Sequence, residues 1–173
     1  MQKKISKIAI CSGLLLMALL PGCFFEKEKE ALKQGLVVVN VLDKKHYDDC
    51  HITGSVQVSM DQLESFANTL DKERSDVIFY CSNYMCSASG FAVKKFMDLG
   101  FKHVAAYEGG TAEWHQMGLP TEGPAQEAYL KLVIPKPAQE DGAIPLIEVG
   151  ALAQKMGVSL PSKEETLKEE AAA

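Results

Sequence analysis

The chain has 173 residues, of which 47% are hydrophobic and 24% are charged, and its formal net charge at pH 7 is −5. These values are typical of one globular domain with extra segments. They exclude a wholly disordered chain, a collagen-like chain and a polytopic membrane protein. The acidic balance gives no overall attraction for phosphate backbones, so we expect no nucleic-acid partner. The five cysteines are too few for a disulfide-stapled miniprotein and lack zinc-ribbon spacing: Cys11, Cys23, Cys50, Cys81 and Cys86.

Residues 1–22 have the pattern of an export signal. Three lysines precede a 13-residue apolar stretch at positions 8–20, which is too short to span a hydrocarbon core of about 30 Å as a helix. The following Leu-Pro-Gly-Cys at 20–23 resembles a bacterial lipobox, in which Cys23 is lipidated. The alternatives are a signal peptide that is cleaved elsewhere and an anchor that stays uncleaved. The lipobox predicts a cell-envelope protein, lipid-anchored to the membrane and facing the periplasm or cell exterior, where disulfides persist.

The remaining sequence predicts an α/β domain at residues 36–122, between a charged tether at 23–35 and a partly disordered C-terminal extension at 123–173. Apolar and β-branched runs predict strands, and apolar residues that recur every three to four positions predict helices. The predicted strands are 36–42, 55–58, 76–80 and 104–106. The predicted helices are 43–49, 60–70, 87–99, 110–116 and 151–156. Because strands alternate with helices, we expect a central, largely parallel sheet flanked by helices.

The strongest chemical signal follows the predicted strand 76–80. Cys81 stands at the carboxyl end of this buried strand, which is the edge where ligands bind in open α/β sheets. Five further residues lead to the predicted helix 87–99, and the backbone N–H groups of such a loop stabilise an anion together with the helix dipole. Since cysteines in such places have lowered pKa values, we expect the pKa of Cys81 to be lowered and its nucleophilic thiolate to be present near neutral pH.

Three motifs make residues 36–120 similar to the rhodanese-like sulfurtransferases. Residues 47–55 (YDDCHITGS) resemble the family's His-Ile-Pro-Gly-Ala-like stretch, and residues 108–120 (EGGTAEWHQMGLP) resemble its closing Gly-Gly, Trp and Gly-Leu-Pro motif. Between them, Cys81 occupies the family's catalytic position. The resemblance implies a rhodanese-like three-layer α/β fold and a persulfide on Cys81, formed from a sulfane-sulfur donor and passed to a thiol acceptor without a metal or cofactor. It also implies that the substrate-binding loop contains Ser82, Asn83, Tyr84, Met85 and Ser87.

The chain departs from the family within this loop. Many members have a glycine and an arginine where this chain has Tyr84 and Cys86. Without the guanidinium group, binding of a doubly charged donor such as thiosulfate is expected to be weak, and a phosphatase that clamps phosphate with a loop arginine is disfavoured. Cys86 then has three interpretations. It is a second catalytic thiol that resolves the Cys81 persulfide into a disulfide, with a thioredoxin-like reductant, or an inert buried residue, or a metal ligand.

Two functions of different classes stay open. In the first, the protein is an envelope sulfurtransferase or thiol redox enzyme that uses Cys81. In the second, it is a catalytically silent rhodanese module that tethers a partner at the membrane. The intact nucleophile favours the first function. The missing arginine, and Cys50 in place of a glycine of the family, favour the second.

Overall fold

The computed structural model describes residues 35–137 and 144–161. The predicted signal peptide at 1–22, the lipidation site Cys23 and tether residues 23–34 therefore lie outside the described residues, as do residues 162–173 of the extension. Within the described ranges, no helix is both long enough and apolar enough to cross a membrane.

The centre of the structure is a four-stranded parallel sheet with the strand order β3-β1-β4-β5. A separate antiparallel pair joins β2 and β6. The strands are β1 (Leu36–Asn40), β2 (His51–Ile52), β3 (Val56–Gln57), β4 (Asp76–Tyr80), β5 (His103–Tyr107) and β6 (Thr121–Glu122). The long strands β1, β4 and β5 start and end in register, so their carboxyl ends lie at one edge of the sheet.

Helices cover both faces of this sheet. They are α1 (Lys44–Asp49), α2 (Leu63–Ala67), α3 (Ala88–Asp98), α4 (Gly110–Gln116) and α5 (Val149–Met156). Successive strand residues point to opposite faces, so Val37, Val77 and Phe79 pack with α2 and α3, whereas Ile78 and Tyr80 pack with α4 and α5. The three-layer α/β fold with a largely parallel central sheet is confirmed.

Most predicted elements are present with small shifts at their ends. The predicted helix 60–70 is instead a 3₁₀ turn at Met60–Gln62 followed by the short helix α2. The strands β2 and β6 were not predicted, because two residues are too few to show a period-two pattern. A second 3₁₀ turn at Ala128–Lys131 packs against α4.

Part of the segment assigned to the C-terminal extension belongs to the same core. The Ala106 N–H donates to the Pro145 carbonyl (2.9 Å) and the Ile147 N–H donates to the Ala106 carbonyl (3.0 Å), so residues 145–147 line the free edge of β5. The helix α5 then buries Leu152 and Ala153 completely against the sheet. The predicted helix 151–156 is thus present, slightly longer, as a packed part of the three-layer fold.

Candidate active site

The candidate site is the loop that joins β4 to α3, at the edge where the carboxyl ends of the strands meet. Asn83 organises this loop. Its side-chain oxygen accepts a hydrogen bond from the Met85 N–H and its carbonyl oxygen accepts one from the Cys86 N–H, both at 3.0 Å. These two N–H groups therefore bond within the loop and do not stabilise an anion on Cys81, in contrast to the role predicted for the loop's N–H groups.

The first turn of α4 contacts the start of the loop through hydrogen bonds to its backbone carbonyl groups. The Thr111 N–H (3.0 Å) and hydroxyl (3.2 Å) both donate to the Cys81 carbonyl, and the Ala112 N–H donates to the Ser82 carbonyl (2.9 Å). Gly110 permits this approach. Its φ is +64°, and an added Cβ would lie 2.6 Å from the Cys81 carbonyl oxygen and 2.8 Å from the Asn83 nitrogen. Only a glycine allows α4 to lie this close to the loop backbone.

The two loop cysteines face each other but differ in exposure. Cys81 is completely buried, whereas Cys86 is partly exposed at the start of α3. The Cys81 thiol donates to the Cys86 carbonyl oxygen (3.0 Å) and is in hydrogen-bonding contact with the Cys86 thiol. The Ser89 hydroxyl lies 3.5 Å from the Cys81 sulfur. The structure therefore brings the two predicted catalytic thiols together.

The environment of the pair places the negative charge on Cys86. Hydrogen bonds from the Cys81 thiol, the Ala88 N–H and the Ser82 N–H and hydroxyl lower the pKa of Cys86 to about 5. Contact with that thiolate and burial raise the pKa of Cys81 far above its ordinary value. The predicted lowering of the Cys81 pKa is wrong, because contact with Cys86 and burial outweigh the hydrogen bonds that Cys81 receives from the N–H and hydroxyl of Ser89. The pair behaves as one dithiol that holds one proton at neutral pH.

A carboxylate outside the loop fixes the loop's middle residue. The hydroxyl of Tyr84 donates to one oxygen of Glu113 (2.9 Å), and the hydroxyl of Tyr107 donates to the other (2.7 Å). Burial and the neighbouring carboxylates raise the pKa of both tyrosines, so both are protonated donors. Glu113, on α4, thus ties the loop to the end of β5. A groove of about 270 Å³ opens beside Tyr84, and Lys136 and Glu148 form an ion pair in its wall.

The remaining predicted loop residues divide into two groups. Ser82 and Asn83 contribute hydrogen bonds to the arrangement. Met85 is 80% exposed, and Ser87 is exposed and makes no side-chain cap to α3. Cys50 is completely buried and burial raises its pKa, as expected of a structural cysteine. Among the described residues no group of His, Cys, Asp or Glu side chains is arranged to hold a metal ion.

Three residues that contact the loop are not among the predicted site residues. Ser89 contacts Cys81 from the first turn of α3, Gly110 lies under the loop, and Glu113 holds Tyr84. A sequence signal existed for two of them, since Gly109-Gly110 follows β5 after one residue and Glu113 lies three positions beyond Gly110. The pattern alone does not show which element they contact.

The chain is similar to known proteins over its α/β domain. The family model of the rhodanese-like domain matches residues 26–117. Thiosulfate sulfurtransferase GlpE of Coxiella burnetii (strain RSA 493 / Nine Mile phase I) is 30% identical over 82 residues, which are 47% of this chain and 74% of that protein.

Two solved structures illustrate the likeness. BH2092 of Bacillus halodurans has a TM-score of 0.48 at 24% identity, and the match covers 60% of this chain and 86% of that one. The Rhodanese_3 like domain of Alr3790 from Anabaena sp. has a TM-score of 0.47 at 29% identity, with coverage of 51% and 93%. Because the family model spans more than half of the sequence, the chain belongs to the family of rhodanese-like domains.

Proposed function

We propose that this protein is a sulfurtransferase that carries sulfane sulfur as a persulfide on Cys81. The observation that supports the proposal most directly is the position of Cys81. It follows β4 at the ligand-binding edge of the sheet, α4 holds its carbonyl group, and a second thiol contacts its sulfur. The name of the similar Coxiella burnetii protein, thiosulfate sulfurtransferase, supports the same reaction class.

The proposed reaction has two parts. When the terminal sulfur of a donor R–S–SH is transferred to Cys81, the donor's S–S bond breaks, a new S–S bond forms, and RSH leaves with the proton. An acceptor thiol then takes this sulfur, which restores Cys81. Alternatively, Cys86 attacks the inner sulfur of the persulfide, the terminal sulfur leaves as hydrosulfide, and a Cys81–Cys86 disulfide remains. A thioredoxin-like dithiol would reduce this disulfide and become oxidised itself.

Thiosulfate is expected to be a poor donor. The loop from Ser82 to Cys86 contains no lysine or arginine, so a dianion meets only backbone N–H groups and the helix dipole. Hydrogen bonds to charged groups contribute about 1.5–3 kcal/mol, whereas exposed dipole effects contribute about 0.3–1 kcal/mol. At about 1.4 kcal/mol per factor of ten, losing a bidentate guanidinium weakens thiosulfate use by one to two orders of magnitude.

A donor panel tests the proposal. Wild type, Cys81→Ser, Cys86→Ser and Cys86→Arg are incubated with thiosulfate or with glutathione persulfide, and the peptide that contains both cysteines is analysed by mass spectrometry. We expect wild type to gain a sulfur atom or lose two hydrogens as a disulfide. We expect Cys86→Ser to retain the Cys81 persulfide once it is loaded, and Cys86→Arg to gain thiosulfate use. A wild-type protein that accepts sulfur from neither donor would refute the proposal.

A catalytically silent, membrane-tethered module is the second candidate. The complete burial of Cys81 and the absence of a loop arginine favour it. If the protein is such a module, the wild-type peptide that contains Cys81 and Cys86 should gain no sulfur from any donor. Cys81→Ser should also retain every cellular function of the wild type.

We also propose that the protein is lipid-anchored through Cys23 in the cell envelope. The motif at 20–23 after the apolar stretch supports this. In a bacterial host, Cys23→Ser should incorporate no labelled fatty acid and should leave an unprocessed or mislocalised precursor, whereas Cys11→Ser should behave as wild type. Normal lipid labelling of the Cys23 variant would contradict the anchor.

A further inference from the structure

The two thiols of the loop are unequally accessible. Cys81 is completely buried under the loop, and its hydrogen-bonding neighbours are Cys86 and Ser89. Cys86 is partly exposed, beside Met85, whose side chain is 80% exposed. A sulfur donor that approaches from solvent therefore meets the sulfur of Cys86 before that of Cys81.

More hydrogen-bond donors are directed to Cys86 than to Cys81, whose sulfur receives hydrogen bonds from the N–H and hydroxyl of Ser89. The Cys86 sulfur accepts from the N–H groups of Ser82 and Ala88 and from the Ser82 hydroxyl, and it contacts the Cys81 thiol. Groups of this kind stabilise a thiolate, which is the reactive form of cysteine.

We propose that Cys86 is the entry thiol of the site, which takes sulfane sulfur from the donor and relays it to the buried Cys81 for storage. This inference rests on the proposed sulfurtransferase function. In this relay Cys86 is the accessible nucleophile, and Cys81 is the protected carrier of the sulfur.

Atoms, electrons and protons are conserved in both steps of the relay. The Cys86 thiolate attacks the terminal sulfur of R–S–SH, the donor's S–S bond breaks, and the thiolate RS⁻ leaves with Cys86–S–SH formed. The Cys81 sulfur then attacks the terminal sulfur of that persulfide. The Cys86 S–S bond breaks as the Cys81 S–S bond forms, and the proton of the Cys81 thiol passes to the departing Cys86 sulfur. Release of that proton to solvent restores the Cys86 thiolate.

Within residues 35–137 and 144–161, no charged side chain is among the groups that act most strongly on the pKa of Cys86. The groups that act on its thiol most strongly are Cys81, Ser82 and Ala88. The charged groups that face the loop from other elements act on Tyr84 instead, or lie in the groove wall beside it: Glu108, Glu113, Lys136 and Glu148. The protonation state of Cys86 is therefore determined by the loop and by the first turn of α3.

Single-turnover loading with glutathione persulfide between pH 5 and pH 9 tests the relay in wild type, Cys86→Ser, Cys86→Ala and Cys81→Ser. Wild-type loading should be nearly independent of pH above about 6, since Cys86 is ionised there. Burial raises the pKa of a lone thiol at position 81 above the ordinary cysteine value of about 8.5, so at pH 6.5 it is ionised at least about 100-fold less than Cys86. Its higher intrinsic nucleophilicity offsets only part of this difference. Loading of both Cys86 variants should therefore be several-fold slower than that of wild type at pH 6.5 and should rise steeply toward pH 9.

Cys81→Ser separates entry from storage. We expect it to carry its sulfur on Cys86 and to load faster than both Cys86 variants at pH 6.5. It should lose that sulfur to dithiothreitol at least about tenfold faster than wild type, because a partly exposed persulfide is open to attack. If the Cys86 variants load as fast as wild type with the same pH profile, the relay is wrong and the sulfurtransferase proposal stands. If no protein of the set gains sulfur, the sulfurtransferase proposal itself fails. Recovery of loading at pH 9 shows that the Cys86 variants are folded.

Discussion

The close contact between Gly110 and the loop predicts that a methyl group added at position 110 will displace α4 or the loop of the candidate site. At Gly110 the φ angle is +64°, and a Cβ would lie 2.6–2.8 Å from backbone atoms of residues 81–83. Backbone atoms cannot rotate away as a flexible side chain can, so Gly110→Ala must displace either α4 or the loop.

A second glycine of the same helix region provides a matched control. Gly118 has nearly the same φ, +65°, but nothing lies within 4 Å of an added Cβ. The left-handed conformation costs a residue with a Cβ about 1–2 kcal/mol, and overpacking adds about 1–3 kcal/mol. We therefore expect Gly118→Ala to lower the free energy of unfolding by about 1–2 kcal/mol and Gly110→Ala by about 2–5 kcal/mol.

Thermal unfolding and sulfur loading measure these effects. At about 4 °C per kcal/mol for a domain of this size, Gly110→Ala should unfold at least several degrees below Gly118→Ala. Only Gly110→Ala should also slow sulfur loading, because it moves the carbonyl groups of the loop. Equal losses of stability and unchanged loading in both variants would refute the role assigned to this contact.

Three further predictions follow from the described contacts. Iodoacetamide at pH 6.5 should label Cys86 before Cys81, with a rate that falls as pH decreases through about 5; peptide mapping that finds Cys81 labelled first would contradict the charge assignment. Glu113→Gln should lower the free energy of unfolding by about 1–3 kcal/mol, since two tyrosines lose a charged acceptor, whereas the exposed Glu73→Gln should have little effect in the same denaturant titration. Leu152→Ala should destabilise by about 2–5 kcal/mol because its side chain is fully buried. Leu160→Ala, at a 46% exposed site, is its control, and equal effects would mean that α5 does not support the core.

The elements around the site could be predicted because each carries a strong local signal. β4 is a buried apolar run that ends at Tyr80, directly before Cys81, and α4 begins at Gly110, the second of two glycines, so both elements have the predicted bounds. The C-terminal segment has a helical pattern at 151–156, but this pattern does not show where the segment packs. A single bridge to Ala106 and the buried side chain of Leu152 fix its position, and both are long-range contacts that no local pattern records.

The ionisation of the thiol pair could not be predicted for a related reason. The spacing of Cys81 and Cys86 places two thiols in one loop, and the position after β4 suggests that the first is the thiolate. Which sulfur receives the amides depends on side-chain rotamers and on the turn that Asn83 makes with Met85 and Cys86. These features arise from the folded loop as a whole, and they reverse the expected order of the two pKa values.

The charge distribution around the loop favours particular donors for the proposed reaction. The loop itself supplies no positive side chain, and carboxylates of Glu108, Glu113 and Glu148 act on Tyr84 beside it. Glu148 is paired with Lys136, which leaves the tyrosine-bound Glu113 and Glu108 to repel an approaching anion. Since the thiol pair already carries one negative charge, a dianion is repelled more than a monoanion or a neutral persulfide. The loop has Cys86 in place of a guanidinium group, and this charge distribution thus favours thiol persulfides of low charge over thiosulfate as donors.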